Sequence, residues 1–331
     1  MKLKIANFNV CNLALPGKKI YGRIVEENLF NKKKEWIGER LALMNADIIG
    51  FQEVFDRDAL VQTAVQSGAY NNPNIAVCEV GGTVPLTGLL SRFPMSDVRT
   101  ITAFPEKAVL TFPRGKEFPI RHFHHPVLRA TVSLPAGIDV TVIVVHLKSK
   151  RPYFDGMNTA SPASERDYAN GKARALVIRA AESFALRSLV IDEIEGNSKP
   201  LMLFGDLNDF RDSVTTGIIT GDSPMEKFAP EVKKASWDQL LYSTYDIQLR
   251  RSNHDVYYTH IYNGSYETLD HILVSQEFVH SNPAHIGRVE YMRIFNDHIL
   301  DRTLTNEDIP EWQSDHGQVL VSLILKDPGQ K

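Results

Sequence analysis

In the stretch Leu201-Met202-Leu203-Phe204-Gly205-Asp206-Leu207-Asn208-Asp209, four apolar residues run straight into a glycine, followed by a carboxylate and a carboxamide two positions apart. The apolar run reads as a strand buried on both faces. Residues i and i+2 of a strand share a face, so Asp206 and Asn208 can point together from its end. An anionic oxygen beside a neutral amide suits a hard cation such as Mg²⁺ and the phosphate it polarises. The same Gly-Asp-x-Asn string also suits an ordinary turn.

Other strand-like runs end on residues of the same kind. Asn9 closes the first, Glu53 the second and His146 a middle one. Asp270 interrupts an apolar run, and Ser314-Asp315-His316 leads into the last strand. Strand ends of an open α/β sheet collect at one rim, where ligands bind. Singly, each residue has a plainer use. Asn9 can satisfy a backbone group, Glu53 can cap or pair with a base, His146 can be a satisfied core histidine, and Asp270 can neutralise an arginine. Their number and order favour a shared metal–phosphate site.

The elements that must position them follow from hydrophobic periodicity. Strands are expected over 3–10, 47–53, near 74–80, 87–92 and 97–103, over 126–134 and 138–147, at 200–206, near 255–262 and 266–275, and over 285–295 and 316–325. Helices are expected over 33–45, 58–67 and 164–192. The last would bury Ala173, Leu176, Val177, Ala180, Ala181, Phe184 and Leu189. Asp212 or Ser213 can cap a short helix to about 219, with loop over 221–235 and an acidic loop over 296–315. Asn263-Gly264 is a strong two-residue hairpin turn. Residues 104–125 read as irregular and basic. Lys107, Arg114, Lys116, Arg121 and Arg129 stand there against the single acid Glu117, with His122, His124 and His125 among them. That stretch is either a solvated face or a phosphate-contacting loop. The Pro/Gly/Asn/Ser-rich segment 150–163 is a candidate substrate-facing insertion.

Mixed strands and helices throughout, without repeat or linker, predict one layered α/β domain over 1–326 with a short tail, 327–331. The 331 residues, 43% hydrophobic and 23% charged, can bury a sizeable core. A net charge of −3 excludes a strongly basic whole-protein field, so a nucleic-acid partner would need a local patch or a metal. Cys11 and Cys78 fit no metal-ligand spacing and no disulfide framework. No apolar run approaches the ~20 residues of a membrane span. With no signal segment in view, a cytoplasmic monomer is expected, or a secreted one if the chain is a trimmed mature form.

Taken together, the strings resemble the endonuclease/exonuclease/phosphatase superfamily, which includes deoxyribonuclease I. Asn7-Phe8-Asn9-Val10 resembles its first motif, and Asp47-Ile48-Ile49-Gly50-Phe51-Gln52-Glu53-Val54 its second. Gly88-Leu89-Leu90-Ser91-Arg92-Phe93-Pro94-Met95 is similar to its Ser-Arg-x-Pro strand, and Val145-His146-Leu147-Lys148-Ser149 to its central histidine motif. Gly205-Asp206-Leu207-Asn208, Leu269-Asp270-His271-Ile272-Leu273-Val274-Ser275 and Ser314-Asp315-His316 complete the series in the family's order. The resemblance implies a four-layer α/β/β/α sandwich of two mixed sheets flanked by helices. It also implies phosphoester hydrolysis with Mg²⁺, for which Mn²⁺ or Ca²⁺ could substitute. Carried over, Glu53 is the principal metal ligand, with Asn9 and Asp315 close to the ion. His316 is the general base and Asp270 holds its imidazole. Asp206 and Asn208 place water and phosphate, and His146 donates to a phosphate oxygen or assists the leaving group.

Departures narrow the branch. Exonuclease III-like abasic-site enzymes carry an acid where this chain has Cys11. Inositol 5-phosphatases carry a tryptophan before Gly-Asp-x-Asn and a Cys-Asp-Arg later, where Phe204 and Leu269-Asp270-His271 stand. The histidine and Asp270 strings look most like a bacterial nuclease-like branch. The leading expectation is a phosphodiesterase acting on nucleic acid, with Lys148, Arg121 and Arg129 tracking the phosphates. The alternatives are an inositol phosphate, sugar phosphate or phospholipid substrate, or a catalytically dead binding module. The last would have lost one of these side chains, and none is lost.

Overall fold

In the computed structural model the apolar runs condense into two six-stranded sheets stacked face to face. Residues 1–326 are described, except 82–83, 113–115, 118, 155–163, 223–226, 251, 253–256 and 306. In chain order the first half holds β1 (Lys2–Leu13), β2 (Lys19–Ile20), β3 (Arg23–Ile24), α1 (Glu27–Met44), β4 (Ile48–Val54), α2 (Arg57–Gln66), β5 (Asn74–Val77), β6 (Leu86–Ser91) and β7 (Met95–Ala103). Next come β8 (Thr111–Phe112), β9 (Lys116–Glu117), β10 (His122–Leu134), β11 (Ile138–His146), α3 (Glu165–Ile194), β12 (Leu201–Asp206), α4 (Val214–Thr220) and α5 (Pro230–Trp237). The chain closes with β13 (Tyr242–Ser243), α6 (Thr244–Leu249), β14 (His260–Tyr262), β15 (Ser265–Glu267), β16 (Asp270–Val274), β17 (Gly287–Phe295) and β18 (Gln318–Leu325).

One sheet runs β17-β18-β1-β4-β6-β5 and the other β13-β16-β12-β11-β10-β7. Both are mixed, since β1 pairs with β4 and β11 with β12 in parallel among antiparallel neighbours. Period-two alternation sorts the side chains. Leu3 and Ile5 of β1 join Val142, Val144, Met202, Phe204, Ile272 and Val274 in the core between the sheets. Ala6, Phe8 and Val10 face the other way, onto Trp36, Ile37 and Leu41 of α1 and Leu60 of α2. On the far side Ile143, Leu201 and Leu203 pack against Ala185, Leu186 and Val190 of α3. The result is the α/β/β/α order expected from the sequence.

The sheets approach closely where β4 crosses β12. A Cβ on Gly50 would lie 2.6 Å from the Cβ of Phe204, so only glycine lets the two strands meet.

Several boundaries differ from expectation. α1 starts at Glu27 rather than 33, because Phe30 and Lys33 extend its buried face. The loop expected over 221–235 gives way at Pro230 to α5, with that proline in its first turn. The strand expected over 266–275 breaks after Glu267, so that β15 pairs with β14 while β16 joins the main sheet. Much of the 150–163 insertion, with Arg114 and the 327–331 tail, lies outside the described residues.

The largest correction concerns α3. Leu176 and Val177 are exposed, and the buried stripe runs through Ala175, Arg179, Glu182, Leu186 and Val190. Arg179 Nε donates to Asp209 at 3.1 Å and its guanidinium to the Lys148 carbonyl at 3.2 Å. Glu182 accepts the backbone N–H groups of His124 at 2.6 Å and Lys148 at 2.8 Å. These charges are buried because the loops after β11 and β12 need partners that apolar side chains cannot supply.

Replacing Gly50 with alanine should lower the unfolding free energy by about 1–3 kcal/mol in urea titrations, as overpacking does. Gly217→Ala in α4, where a Cβ meets nothing within 4 Å, should instead be neutral or mildly stabilising; equal losses would show that the sheet crossing is not what constrains Gly50. Burial pushes the Glu182 carboxyl up to about 7 from 4.5, against the pull of the His124 and Lys148 N–H groups. The folded state therefore holds this proton longer than the unfolded chain. The resulting stability is full below pH 4.5 and is lost as pH rises through about 7. Between pH 5.5 and 8, wild type should lose about 2 kcal/mol that Glu182→Gln does not lose, read as the difference between paired denaturation curves.

Candidate active site

The inner-face alternation turns polar at one rim. In β1 the series Leu3, Ile5 continues as Asn7 and Asn9, and in β12 Met202, Phe204 continues as Asp206. Strand register does the rest. His146 pairs with Asp206 across β11 and β12, and Asp206 pairs with Asp270 across β12 and β16. Three site residues thus stand in one row of a sheet. Asn9, opposite Gln52 in the other sheet, closes the gap: its Nδ2 donates to Asp206 Oδ2 at 3.0 Å and to Glu53 Oε1 at 3.3 Å.

Asp270 Oδ2 accepts from His316 Nδ1 at 2.7 Å, and Asp270 Oδ1 accepts from Asn7 Nδ2 at 3.4 Å. Gln52 in turn donates to Asn7 Oδ1 at 2.8 Å. The Thr259 hydroxyl receives the Leu269 and Asp270 N–H groups, and Ser314 Oγ, which donates to the Asn9 carbonyl, receives that of His316. His316 Nε2 then lies 3.8 Å from Asp206 Oδ2, and His146 Nε2 lies 3.7 Å from the same oxygen. Asp206 is the hub between two imidazoles.

Burial alone would push the His316 imidazolium down, but Asp270 and Asp206 outweigh it and hold the ring well above its usual range. His146 goes the opposite way. Burial, with the rings of His125 and His316 adding to it, holds it well below. His125 stacks on His146 at 4.1 Å between centroids, and its Nδ1 meets the His146 carbonyl at 3.1 Å. One histidine is built to carry charge, the other to stay neutral. Asp206 is raised, chiefly by burial, with Asp270 adding and His316 opposing.

Glu53 is also raised, by burial first and then by Asp315. Burial acts on Asp315 too, yet His316 and His260 outweigh it and keep that carboxyl low. Among the described residues neither acid has a lysine or arginine within ion-pair distance. A pair of hard carboxylate oxygens without a lysine or arginine partner is what a divalent cation would neutralise, so this donor set fits one. Asn9 fits less simply: its carboxamide oxygen accepts the Cys11 N–H at 3.0 Å while its NH₂ faces the acids.

The backbone here is strained. Cys11, Asn12, Glu53 and Asn208 all take positive φ, at 50°, 67°, 61° and 52°, a conformation costing a non-glycine residue about 1 kcal/mol or more. The turn at Asn208 corrects one expectation. β12 ends at Asp206, and Asn208 Nδ2 donates instead to the Leu147 carbonyl at 3.0 Å, bracing the loop after β11. Lys33 pins the other loop, donating to the Cys11 carbonyl at 2.6 Å and the Val10 carbonyl at 3.2 Å. The Cys11 thiol stays protonated, pushed up by burial and by Asp315.

The expected basic track is largely committed elsewhere. Arg129 is held by Glu193 at 2.9 Å and Asp97 at 2.6 Å, on the outer face of its sheet. Lys148 is buried, its ammonium on the carbonyls of Ser149 and Arg151. Arg121 is half-buried beside Phe104, whose N–H bonds its carbonyl. Sequence reasoning missed Lys33, Arg179, Glu182, His125 and His260. Lys33 and Glu182 had a signal, each a charge on the apolar stripe of its helix. Beyond Asp315 and Cys11 opens a cavity of about 1230 Å³, walled by Tyr21, Phe30 and Trp312 with Lys32 and Arg302 on its border. No helix among the described residues is long and apolar enough to cross a membrane.

The sequence profile of the Endonuclease/Exonuclease/phosphatase family matches residues 6–316. No curated protein matches the chain by sequence. Solved structures that share its fold include truncated Caenorhabditis elegans TDP2, 16% identical with TM-score 0.57, covering 98% of this chain and 97% of that one. A Bacteroides thetaiotaomicron mannosyl-6-phosphatase is 16% identical with TM-score 0.55, covering 98% and 100%. The human Nocturnin catalytic domain with bound sulfate anion is 15% identical with TM-score 0.55, covering 98% and 94%. The profile spans the chain from Asn7 and Asn9 to His316, and the chain belongs to the endonuclease/exonuclease/phosphatase family of metal-dependent phosphoric ester hydrolases.

Proposed function

We propose that the protein hydrolyses phosphodiesters, with nucleic acid as the leading substrate and Mg²⁺ as the ion. The observation that carries this reading is the Asp270–His316 pair at 2.7 Å, with Nε2 of His316 beside Asp206 and a Glu53–Asp315 pair that has no lysine or arginine within ion-pair distance among the described residues. His316, once it has given up its own Nε2 proton, takes that of the attacking water, and Asp270 fixes the tautomer by accepting from Nδ1. Asp206, 3.8 Å from that Nε2, orients the water from the other side. Asn9 and Asn208 hold Asp206 through its two oxygens, by the Asn9 amide and the Asn208 N–H. Neutral His146 donates to a phosphate oxygen or to the departing alkoxide. A divalent cation at Glu53 and Asp315 would supply Lewis-acid stabilisation of the charge that grows on the phosphate oxygens.

A second reading, a compact phosphate ester, is favoured by the fate of the basic residues. Arg129 is consumed by ion pairs, and Lys150 by Glu267 at 3.3 Å. Meanwhile the cavity beside Asp315 offers a walled place for a small leaving group.

Purified protein should hydrolyse bis(4-nitrophenyl) phosphate in Mg²⁺ or Mn²⁺, and His316→Ala should slow this by roughly 10²–10⁴-fold. Activity that survives both EDTA and His316→Ala would refute the mechanism. Salt separates the substrates. Between 50 and 200 mM, cleavage of plasmid DNA should lose 10-fold or more in kcat/KM if several phosphates are contacted. A flat profile, with faster turnover of a sugar phosphate, would establish the compact ester instead.

A further inference from the structure

One side chain converging on this centre has no part in the chemistry above. His260 opens β14, in the hairpin closed by Asn263 and Gly264, both at positive φ. The preceding residue is locked on three sides. Its hydroxyl takes the Leu269 and Asp270 N–H groups, its carbonyl takes the Gly317 N–H at 2.7 Å, and its own N–H bonds Glu267. His260 is therefore delivered in fixed register beside the Asp315-His316 pair. Its ring centroid is 5.0 Å from that of His316, and its Nε2 is 3.9 Å from Asp315 Oδ2. Its other nitrogen is buried without a partner among the described residues, so no hydrogen bond explains the ring's placement.

We infer that His260, Asp315 and His316 form a site for an imidazole-preferring transition-metal ion, Zn²⁺ above all, and that filling it silences the enzyme. One donor atom from each residue lies within 4.8 Å of the others. Tetrahedral coordination at about 2.1 Å sets donors ~3.4 Å apart, so small side-chain rotations close the site. Asp270 already holds Nδ1 of His316, which leaves Nε2 as the ligand and supplies the carboxylate–imidazole backing typical of metal-bound histidine. Two imidazoles and one carboxylate suit Zn²⁺, Co²⁺ or Ni²⁺, whereas Mg²⁺ prefers oxygens throughout. The Glu53–Asp315 oxygens and the His260–His316 nitrogens thus sort cations by softness across one shared carboxylate. A metal on Nε2 occupies the lone pair that would take the proton from water.

The silencing half rests on His316 being the general base; the binding half does not. Metal-free protein titrated with Co²⁺ should develop visible d–d absorption that Zn²⁺ abolishes and Mg²⁺ does not. His260→Gln should weaken Zn²⁺ binding roughly 100-fold by competition with a chromophoric chelator. In Mg²⁺ the same variant should lose sensitivity to micromolar Zn²⁺, read for each protein as the ratio of its rates with and without Zn²⁺. If His260→Gln binds Co²⁺ and Zn²⁺ like wild type, the site is refuted whatever the enzyme hydrolyses. Zn²⁺ binding that depends on His260 but leaves Mg²⁺-supported turnover intact would overturn the silencing. A protein inert on every phosphoester tested, yet with a His260-dependent Co²⁺ spectrum, would overturn the proposed reaction and leave the metal site standing.

Discussion

The structure depends on the registry of two inner sheet faces that are apolar along most of their length and polar at one end. Alternation in β1, β11, β12 and β16 sends every second residue into the space between the sheets. The series ends in Asn9, His146, Asp206 and Asp270 at the same rim. A slip of one residue in any of these strands would turn its polar end into a helix layer and its apolar face with it. Gly50 sets the spacing of the sheets by letting Phe204 approach, and that spacing lets Asn9 of one sheet reach Asp206 of the other at 3.0 Å. Packing in the core and geometry in the site are one constraint.

Much of this was legible in the sequence because a strand buried on both faces ending in a carboxylate is a local pattern. Leu201–Asp206 announced both its burial and its chemistry. What was not legible depends on partners far away in the chain. Arg129 sits in a basic stretch and looked available to a phosphate, but Glu193 and Asp97 claim it. Only the fold brings the end of α3 and the β7 strand to it. The stripe of α3 was misread because Leu176 and Val177 look apolar and Arg179 and Glu182 look solvated. The N–H and C=O groups of Lys148, in the loop after β11, reverse that assignment by bonding Glu182 and Arg179. Asn208 was placed beside Asp206 by strand periodicity, and a left-handed turn at 52° ended the strand first.

Strain and buried charge gather where the chemistry is. Four non-glycine residues with positive φ flank the rim, and loops of that shape persist only when neighbours over-determine them. Lys33 beneath Cys11, the Arg179 and Glu182 clamp on the loop after β11, and Ser314 on the Asn9 carbonyl are those neighbours. Each lies behind the reacting groups and fixes a backbone that would otherwise relax. The site is held from beneath by polar contacts of α1 and α3, which is why both helices carry charge on their buried faces.

The charge balance follows from the same crowding. Asp206, Asp270, Asp315 and Glu53 converge, and burial acts against ionising each one whose acidity is shifted. Two of them, with Asp315, hold His316 charged although the ring itself is buried. Asn9 turns its NH₂ rather than its oxygen toward Glu53 and Asp206, the orientation an acid cluster selects when amide hydrogens are the nearest positive charge. A cation beside Glu53 and Asp315 would relieve that demand from outside, freeing the amide to turn and weakening the hold on the His316 proton. A proton on the imidazole and a divalent ion on the carboxylates would answer the same excess of negative charge, so each would weaken the centre's demand for the other.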